Sequence, residues 1–160
     1  MGEEITAPVA HAEGLPVCYR GTVYPRHHDH MGHMNVANYI AKFDEATWNL
    51  FVMFGVTRRT LAEDGYNMAA IQQNIRYLSE LVAGDVIGVT SRVERISNKT
   101  VTFSHEMRNL ETGAVAAQIR NIACFIDSAT RHSMAIPADV RARLEALLAE
   151  HDAICGGGNG

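Results

Sequence analysis

The sequence predicts an α+β fold in which one antiparallel sheet wraps around a single long helix, with a further helix near the C-terminal end. Three observations predict it. Apolar residues between Asn35 and Gly55 recur at three- and four-residue intervals, the period of a helix. Four later segments bounded by turn signals read as strands, and the last three of them alternate with a period of two, loosely or strictly. The turns between them are short, so consecutive strands must pair antiparallel, because a parallel return needs a crossover.

The elements follow in order. Residues 1–14 are polar and aperiodic and are expected to be a loose N-terminus. Val17, Tyr19, Val23 and Tyr24, between Gly14 and Pro25, suit a first strand within 15–24. A histidine-rich loop follows. Val36, Tyr39, Ile40, Phe43, Thr47, Leu50, Phe51 and Phe54 then mark the helix, with Asn35 placed to cap its first turn and Gly55 to stop it. A short helical piece is expected over 57–63, and a strand from Tyr66 to Leu78. The Ala83-Gly84-Asp85 turn introduces a strand from Val86 to Ile96, and Ser97-Asn98 turns the chain into Thr100–Met107. There Val101, Phe103, His105 and Met107 take one face and Thr102, Ser104, Glu106 and Arg108 the other, the pattern of a half-buried strand. Glu111-Thr112-Gly113 leads to a last strand over 114–127. Pro137 opens a helix with Val140, Leu144, Leu147 and Leu148 on its apolar side. One domain over 15–150 is expected, followed by a loose glycine-rich tail at 151–160. The sheet face away from the helix, or an edge, is expected to be covered by self-association.

Composition narrows the function. The chain has 160 residues, 47% of them apolar, and a formal net charge of −4, which suits one soluble domain. Lysine and arginine are spread over both halves and outnumbered by acids in each, so no basic half is available for a nucleic-acid backbone. No apolar run approaches the ~20 residues of a membrane span, and residues 1–13 lack the layout of a signal peptide. The expected location is cytoplasmic, with no membrane partner. Cys18, Cys124 and Cys155 are odd in number and far apart, which suits reduced thiols better than a disulfide framework.

Four of the eight histidines, His27, His28, His30 and His33, fall within seven positions. The same stretch places Asp29 and a Gly32 turn just ahead of the predicted helix. A helix start offers unpaired N–H groups and a partial positive charge, which favour negative charge developing on a bound oxygen. A carboxylate beside it can deprotonate water or attack directly. Those are the two needs of acyl transfer. Residue types alone leave equally open that Asp29 merely caps the turn.

The run Asp29-His-Met-Gly32-His33-Met-Asn35-x-x-x-Tyr39 resembles the D-x-x-G-H-x-N-x-x-x-Y element of the hotdog-fold acyl-CoA thioesterases, in their 4-hydroxybenzoyl-CoA thioesterase-like branch. The resemblance spans roughly positions 16–148. It includes Asn74-Ile-Arg-Tyr-Leu followed by Leu81-Val-Ala-Gly-Asp85, and Ser97-Asn-Lys-Thr-Val-Thr-Phe103. The family's proline in the first of these segments is replaced by Glu80 or Leu81. The resemblance implies a single hotdog domain that hydrolyses a small acyl-CoA, with Asp29 as general base or nucleophile. It also implies that the Val36 amide is the oxyanion donor, that His33 and Asn35 shape the site, and that Tyr39 lines it. Lys99 and, less directly, Arg95 are implied to hold the CoA phosphates, although Lys99 suits a solvated turn equally well and Arg95 suits one better. Asp44 and Glu45 lie where the family often carries an acid on the helix and are expected to be structural first. No cofactor is implied beyond the CoA of the substrate, and a homodimer or dimer of dimers is. The DHMGHMN run and Phe43-Asp-Glu-Ala-Thr-Trp48 are further similar to a subgroup acting on betainyl-CoA, whose trimethylammonium group would want an aromatic face such as Tyr39 or Trp48.

Other readings compete with this one. A metal-dependent hydrolase could use the His27–His33 cluster, but the spacing lacks the pattern that puts two imidazoles on one helical face, and no metal is expected. A non-catalytic acyl-CoA binding module would have little use for Asp29. His105, on an apolar strand face, is expected to be a hydrogen-bonded core residue.

Overall fold

The computed structural model describes residues 9–157. Five strands form one antiparallel sheet: β1 (Val17–Thr22), β2 (Tyr66–Tyr77), β3 (Val86–Ile96), β4 (Thr100–Asn109) and β5 (Val115–Asp127). Their order is β1-β3-β4-β5-β2, so the three hairpin-linked strands fill the centre and β1 and β2 form the edges. Among the described residues three α-helices accompany the sheet: α1 (Val36–Met53), α2 (Arg58–Glu63) and α3 (Ala138–Gly156). Every predicted element is present, with ends shifted by at most a few residues, except that α3 runs past the expected limit at 150. Among the described residues no helix is long and apolar enough to cross a membrane.

α1 packs on one face of the sheet. Phe43, Ala46, Leu50 and Phe51 form a single core with Val89 and Val93 of β3, Phe103 and Met107 of β4, and Ile119 of β5. Asn35 caps the helix by accepting the Ala37 N–H at 2.9 Å. Its C-terminal end is closed by a two-bond motif: Gly55 N–H donates to Val52 O and Val56 N–H to Phe51 O. That turn requires φ of +87° at Gly55, a conformation that raises the energy of any residue with a Cβ by about 1–2 kcal/mol. The sequence signal for the helix end therefore had a local backbone cause.

The opposite sheet face differs from expectation. Ser104 and Glu106, read as solvent-facing from their alternation, are buried. Arg120 Nε donates to Glu94 Oε2 at 2.6 Å, Ser104 Oγ to Glu94 Oε1 at 2.6 Å, and Gln118 Nε2 and Arg108 Nε to the Glu106 carboxylate at 2.7 Å each. Each buried carboxylate thus meets a charged or polar donor, which is the condition for burying it without a large penalty. The cover comes from the chain itself. Arg92 donates to Ala10 O and pairs with Asp152 of α3, and Gln118 also reaches Val9 O.

Within the described residues, both segments expected to be loose make contacts with the sheet. His11 lies between Thr90 Oγ1, at 2.8 Å, and Ser104 Oγ, at 3.1 Å; burial, reinforced by nearby arginines, lowers its pKa to about 3 and keeps it neutral. At the other end α3 continues to Gly156 because His151 is fully buried and accepts the Val93 N–H at 2.9 Å. Residues 1–8 and 158–160, within the expected loose ends, lie outside the described residues.

His105 is a fully buried core histidine bonded to Ser91 Oγ at 2.7 Å and Thr47 Oγ1 at 2.9 Å. Burial pushes its pKa down to about 3, so it is a neutral bridge between β3 and α1.

Candidate active site

The loop before α1 is built around Asp29. One carboxylate oxygen accepts the Met31 N–H at 2.8 Å and the other accepts Asn35 Nδ2 at 2.8 Å. Gly32, at φ +84°, lets the chain double back so that Asp29 N–H meets His33 O. Asn35 therefore has two duties. Its oxygen caps the helix and its amide orients the carboxylate. These bonds, the Asn35 amide first and the Met31 N–H second, hold the Asp29 pKa below the ordinary carboxylate value. The carboxylate is ionised at neutral pH and stands against the N-terminus of α1. Among the described residues the Val36 N–H, the first of the helix, has no hydrogen-bond partner, as expected of a first-turn amide.

A second loop holds the first in place, and the sequence reading missed it. Met34 N–H donates to Leu81 O at 2.8 Å, the Ala83 N–H to His28 Nε2 at 2.8 Å, and the Tyr39 hydroxyl to Ser79 O at 3.3 Å. Leu81, where the family's proline segment departs, is fully buried. Its only sequence signal was the resemblance around Leu81–Asp85.

The other named residues divide. His33 turns Nε2 toward Glu80, 3.6 Å away, rather than toward the Asp29 carboxylate. His27 Nδ1 accepts the Tyr24 N–H at 2.9 Å. With His28 committed to Ala83, the clustered imidazoles serve separate partners. Among the described residues no three histidine, cysteine or acidic side chains are grouped to hold a metal. Tyr39 is buried, edge-on to Tyr77 with ring centroids 5.3 Å apart; it braces the two loops, and burial raises its pKa.

Trp48 is half exposed and lines a cavity of about 300 Å³ between α1 and strands β2, β4 and β5. Ile40, Asp44, Phe51, Gln73 and Asn121 also line it, whereas Tyr39 does not. Tyr39 and Trp48 therefore do not form one aromatic face. Val36, Ile40, Asp44 and Trp48 follow one another at four-residue steps, so one stripe of α1 leads from the Asp29 loop into the cavity.

Lys99 and Arg95 are not brought to Asp29 within the chain. Both lie near the β3–β4 turn, where Lys99 Nζ donates to Ser133 Oγ at 3.1 Å. The Asp29 loop is tied to the start of β3, where Val23 N–H meets Asp85 O. The length of β3, roughly 33 Å, separates the two ends.

The Asn35 contact makes a pH prediction. A carboxylate with a depressed pKa stays ionised until the pH falls through that lowered value, so activity depending on Asp29 should persist to lower pH than it would with an ordinary carboxylate. In Asn35→Ala the acid limb of kcat/KM should move up toward the ordinary carboxylate range. The same change removes the helix cap and should lower stability by about 1 kcal/mol. A pH–rate profile and a urea melt check both; an unmoved acid limb would show that the contact does not tune Asp29.

An antiparallel sheet wrapped on one buried helix is the hotdog arrangement, and here an oriented carboxylate and an unpaired amide stand at the start of that helix. Residues 23–144 match the family model of the Thioesterase-like superfamily, and the chain belongs to that family. It is 25% identical over 124 residues to the L-carnitine dehydrogenase/betainyl-CoA thioesterase of Agrobacterium fabrum, covering 78% of this chain but only 25% of that longer protein. It is 25% identical to the long-chain acyl-CoA thioesterase FadM of Escherichia coli, covering 76% of this chain and 92% of that one. A Staphylococcus aureus protein solved in complex with CoA superposes with a TM-score of 0.79 at 23% identity, covering 87% and 88% of the two chains.

Proposed function

We propose that this chain is an acyl-CoA thioesterase that releases a free acid and CoA. The observation that carries the reading is the ionised Asp29 carboxylate, fixed by Asn35 and Met31 beside the unpaired Val36 N–H of α1. The thioester carbonyl oxygen takes the Val36 N–H, and Asp29 either removes a proton from the attacking water or attacks the carbonyl carbon itself. The C–S bond then breaks and CoA leaves as the thiolate. Where water attacked, the free acid forms at once; where Asp29 attacked, a water hydrolyses the acyl-aspartyl anhydride to the free acid and restores the carboxylate. A thiolate leaves readily, since a free thiol has a pKa of about 8.5, so a dedicated general acid is unnecessary.

The relatives act on different acyl groups, a betainyl group in one and long chains in the other by their names. Geometry favours a longer group here. With the carbonyl on the Val36 amide, the cation of a betainyl group lies only two bonds from the carbonyl carbon. Trp48, twelve residues on, is roughly 18 Å along the helix. The cavity reaching from Ile40 to Trp48 instead suits an acyl chain laid along α1.

The functional unit of this reading is a homodimer in the cytoplasm. Val36, Ile40, Trp48 and Val52 make an exposed apolar stripe on α1, and Ile71 is exposed on the free edge strand β2. Pairing two β2 edges antiparallel would extend the sheet and cover both. It would also bring the Lys99 end of one copy to the Asp29 end of the other, which one chain alone does not achieve.

Free-thiol release from betainyl-, acetyl-, hexanoyl-, decanoyl- and benzoyl-CoA, together with sedimentation, tests this. Turnover should be clear for decanoyl-type thioesters and weak for betainyl-CoA, by a dimeric or larger species. Absence of turnover on every thioester would end the reading.

A further inference from the structure

Asn121 stands on an apolar sheet face. Its neighbours across the strands and along β5 on the α1 side are Phe103, Ile119 and Ala123, yet it carries an amide and is only 2% exposed. Its single hydrogen bond among the described residues is to Gln73, its partner in the β2–β5 ladder: Gln73 Nε2 donates to Asn121 Oδ1 at 2.9 Å. Both side chains line the cavity. Whichever way the two amides are turned, the pair uses one donor group and one carbonyl, and leaves one NH₂ and one carbonyl oxygen without a protein partner. Neither free group is sealed in the core: Gln73 is exposed, and both groups open into the cavity, so an acyl chain that fills it displaces their water and must supply a partner or leave them unpaired.

We infer that the Gln73–Asn121 pair is a specificity determinant that receives a hydroxyl group at the far end of a medium-length acyl chain. This rests on the thioesterase reading above. A hydroxyl is both donor and acceptor, so one such group satisfies the free NH₂ and the free carbonyl together. A carboxylate there would meet Asp44, which lines the same cavity, and a like charge is disfavoured. A methyl terminus would leave the amides desolvated and unpaired. Length follows from the helix. Asp44 is eight residues from Val36, roughly 12 Å along the axis. Gln73 lies four residues before Tyr77, roughly 13 Å along β2 from the strand end that Tyr39 contacts. At roughly 1.2 Å per bond in an extended chain, about ten atoms span that distance.

The test compares kcat/KM for 10-hydroxydecanoyl-CoA and decanoyl-CoA by free-thiol release, with hexanoyl-CoA as a reference. The wild-type protein should favour the hydroxylated thioester by roughly ten- to hundred-fold, since a site that bonds a hydroxyl rejects the analogue lacking it. Asn121→Leu should abolish or invert that preference, mainly by improving decanoyl-CoA relative to 10-hydroxydecanoyl-CoA. Gln73→Leu, on the exposed edge strand, provides the same comparison where Asn121→Leu folds poorly. Equal rates on the two ten-carbon thioesters, a preference that survives both variants, or turnover confined to hexanoyl-CoA would overturn the inference and leave the thioesterase reading intact. Failure on all three thioesters would remove both.

Discussion

Asp29→Asn should reduce kcat by about 10²–10⁴-fold, the range for removing a positioned base or nucleophile. The substitution is close to isosteric. Its remaining carbonyl oxygen can still accept from Met31 N–H or Asn35 Nδ2, each now 2.8 Å from a carboxylate oxygen, so the loop should hold its shape and KM should move little. Loss in kcat with KM retained identifies a group that acts on the reacting atoms rather than one that binds substrate. The pH profile supplies an independent signature, because the acid limb set by the depressed Asp29 pKa should vanish from the residual rate. A variant with half the wild-type rate or more would exclude Asp29 from the chemistry.

The second large effect is expected at a backbone atom, and proline reaches it. Val36 is the first residue of α1, where proline is tolerated because that N–H has no partner within the helix and φ is already helical. The preceding Asn35 sits at φ −69° and ψ 147°, within the extended region that a following proline demands. Val36→Pro therefore deletes one hydrogen-bond donor with little demand on the fold. If that N–H receives the carbonyl oxygen, kcat should fall about 10²–10³-fold, the effect of losing one oxyanion donor. Val36→Ala keeps the N–H and loses only exposed side-chain surface; it should stay close to wild type. Equal behaviour of the two variants would mean that the oxyanion is held elsewhere.

Much of this site was legible because its parts are local. Asn35 follows Asp29 by six residues, and Gly32 between them supplies the positive φ that folds one onto the other. Capping, turn chemistry and helix start are decided by neighbours along the chain. The second support was not legible: Ser79, Leu81 and Ala83 hold the loop through backbone atoms, and a backbone donor or acceptor leaves no trace in residue type. The resemblance implies a role for His33 in shaping the site, and which way its ring turns, here toward Glu80, is set by a residue 47 positions away. Asn121 escaped notice for a similar reason. One polar residue in a strand does not say which face or which cavity it meets.

The sequence by itself determined the order and type of every element, the antiparallel pairing, both ends of α1 and the carboxylate ahead of it. All of these depend on period, turn residues and contacts a few positions apart. Only the tertiary structure decided which polar residues are inside. Ser104, Glu106 and Arg120 look solvated by alternation, yet they are buried because Glu94, Gln118 and residues 9–11 arrive from distant positions to satisfy them. The same physics holds for the cavity. Burial and hydrogen-bond completion are sums over neighbours that folding brings together, and no local pattern carries that sum.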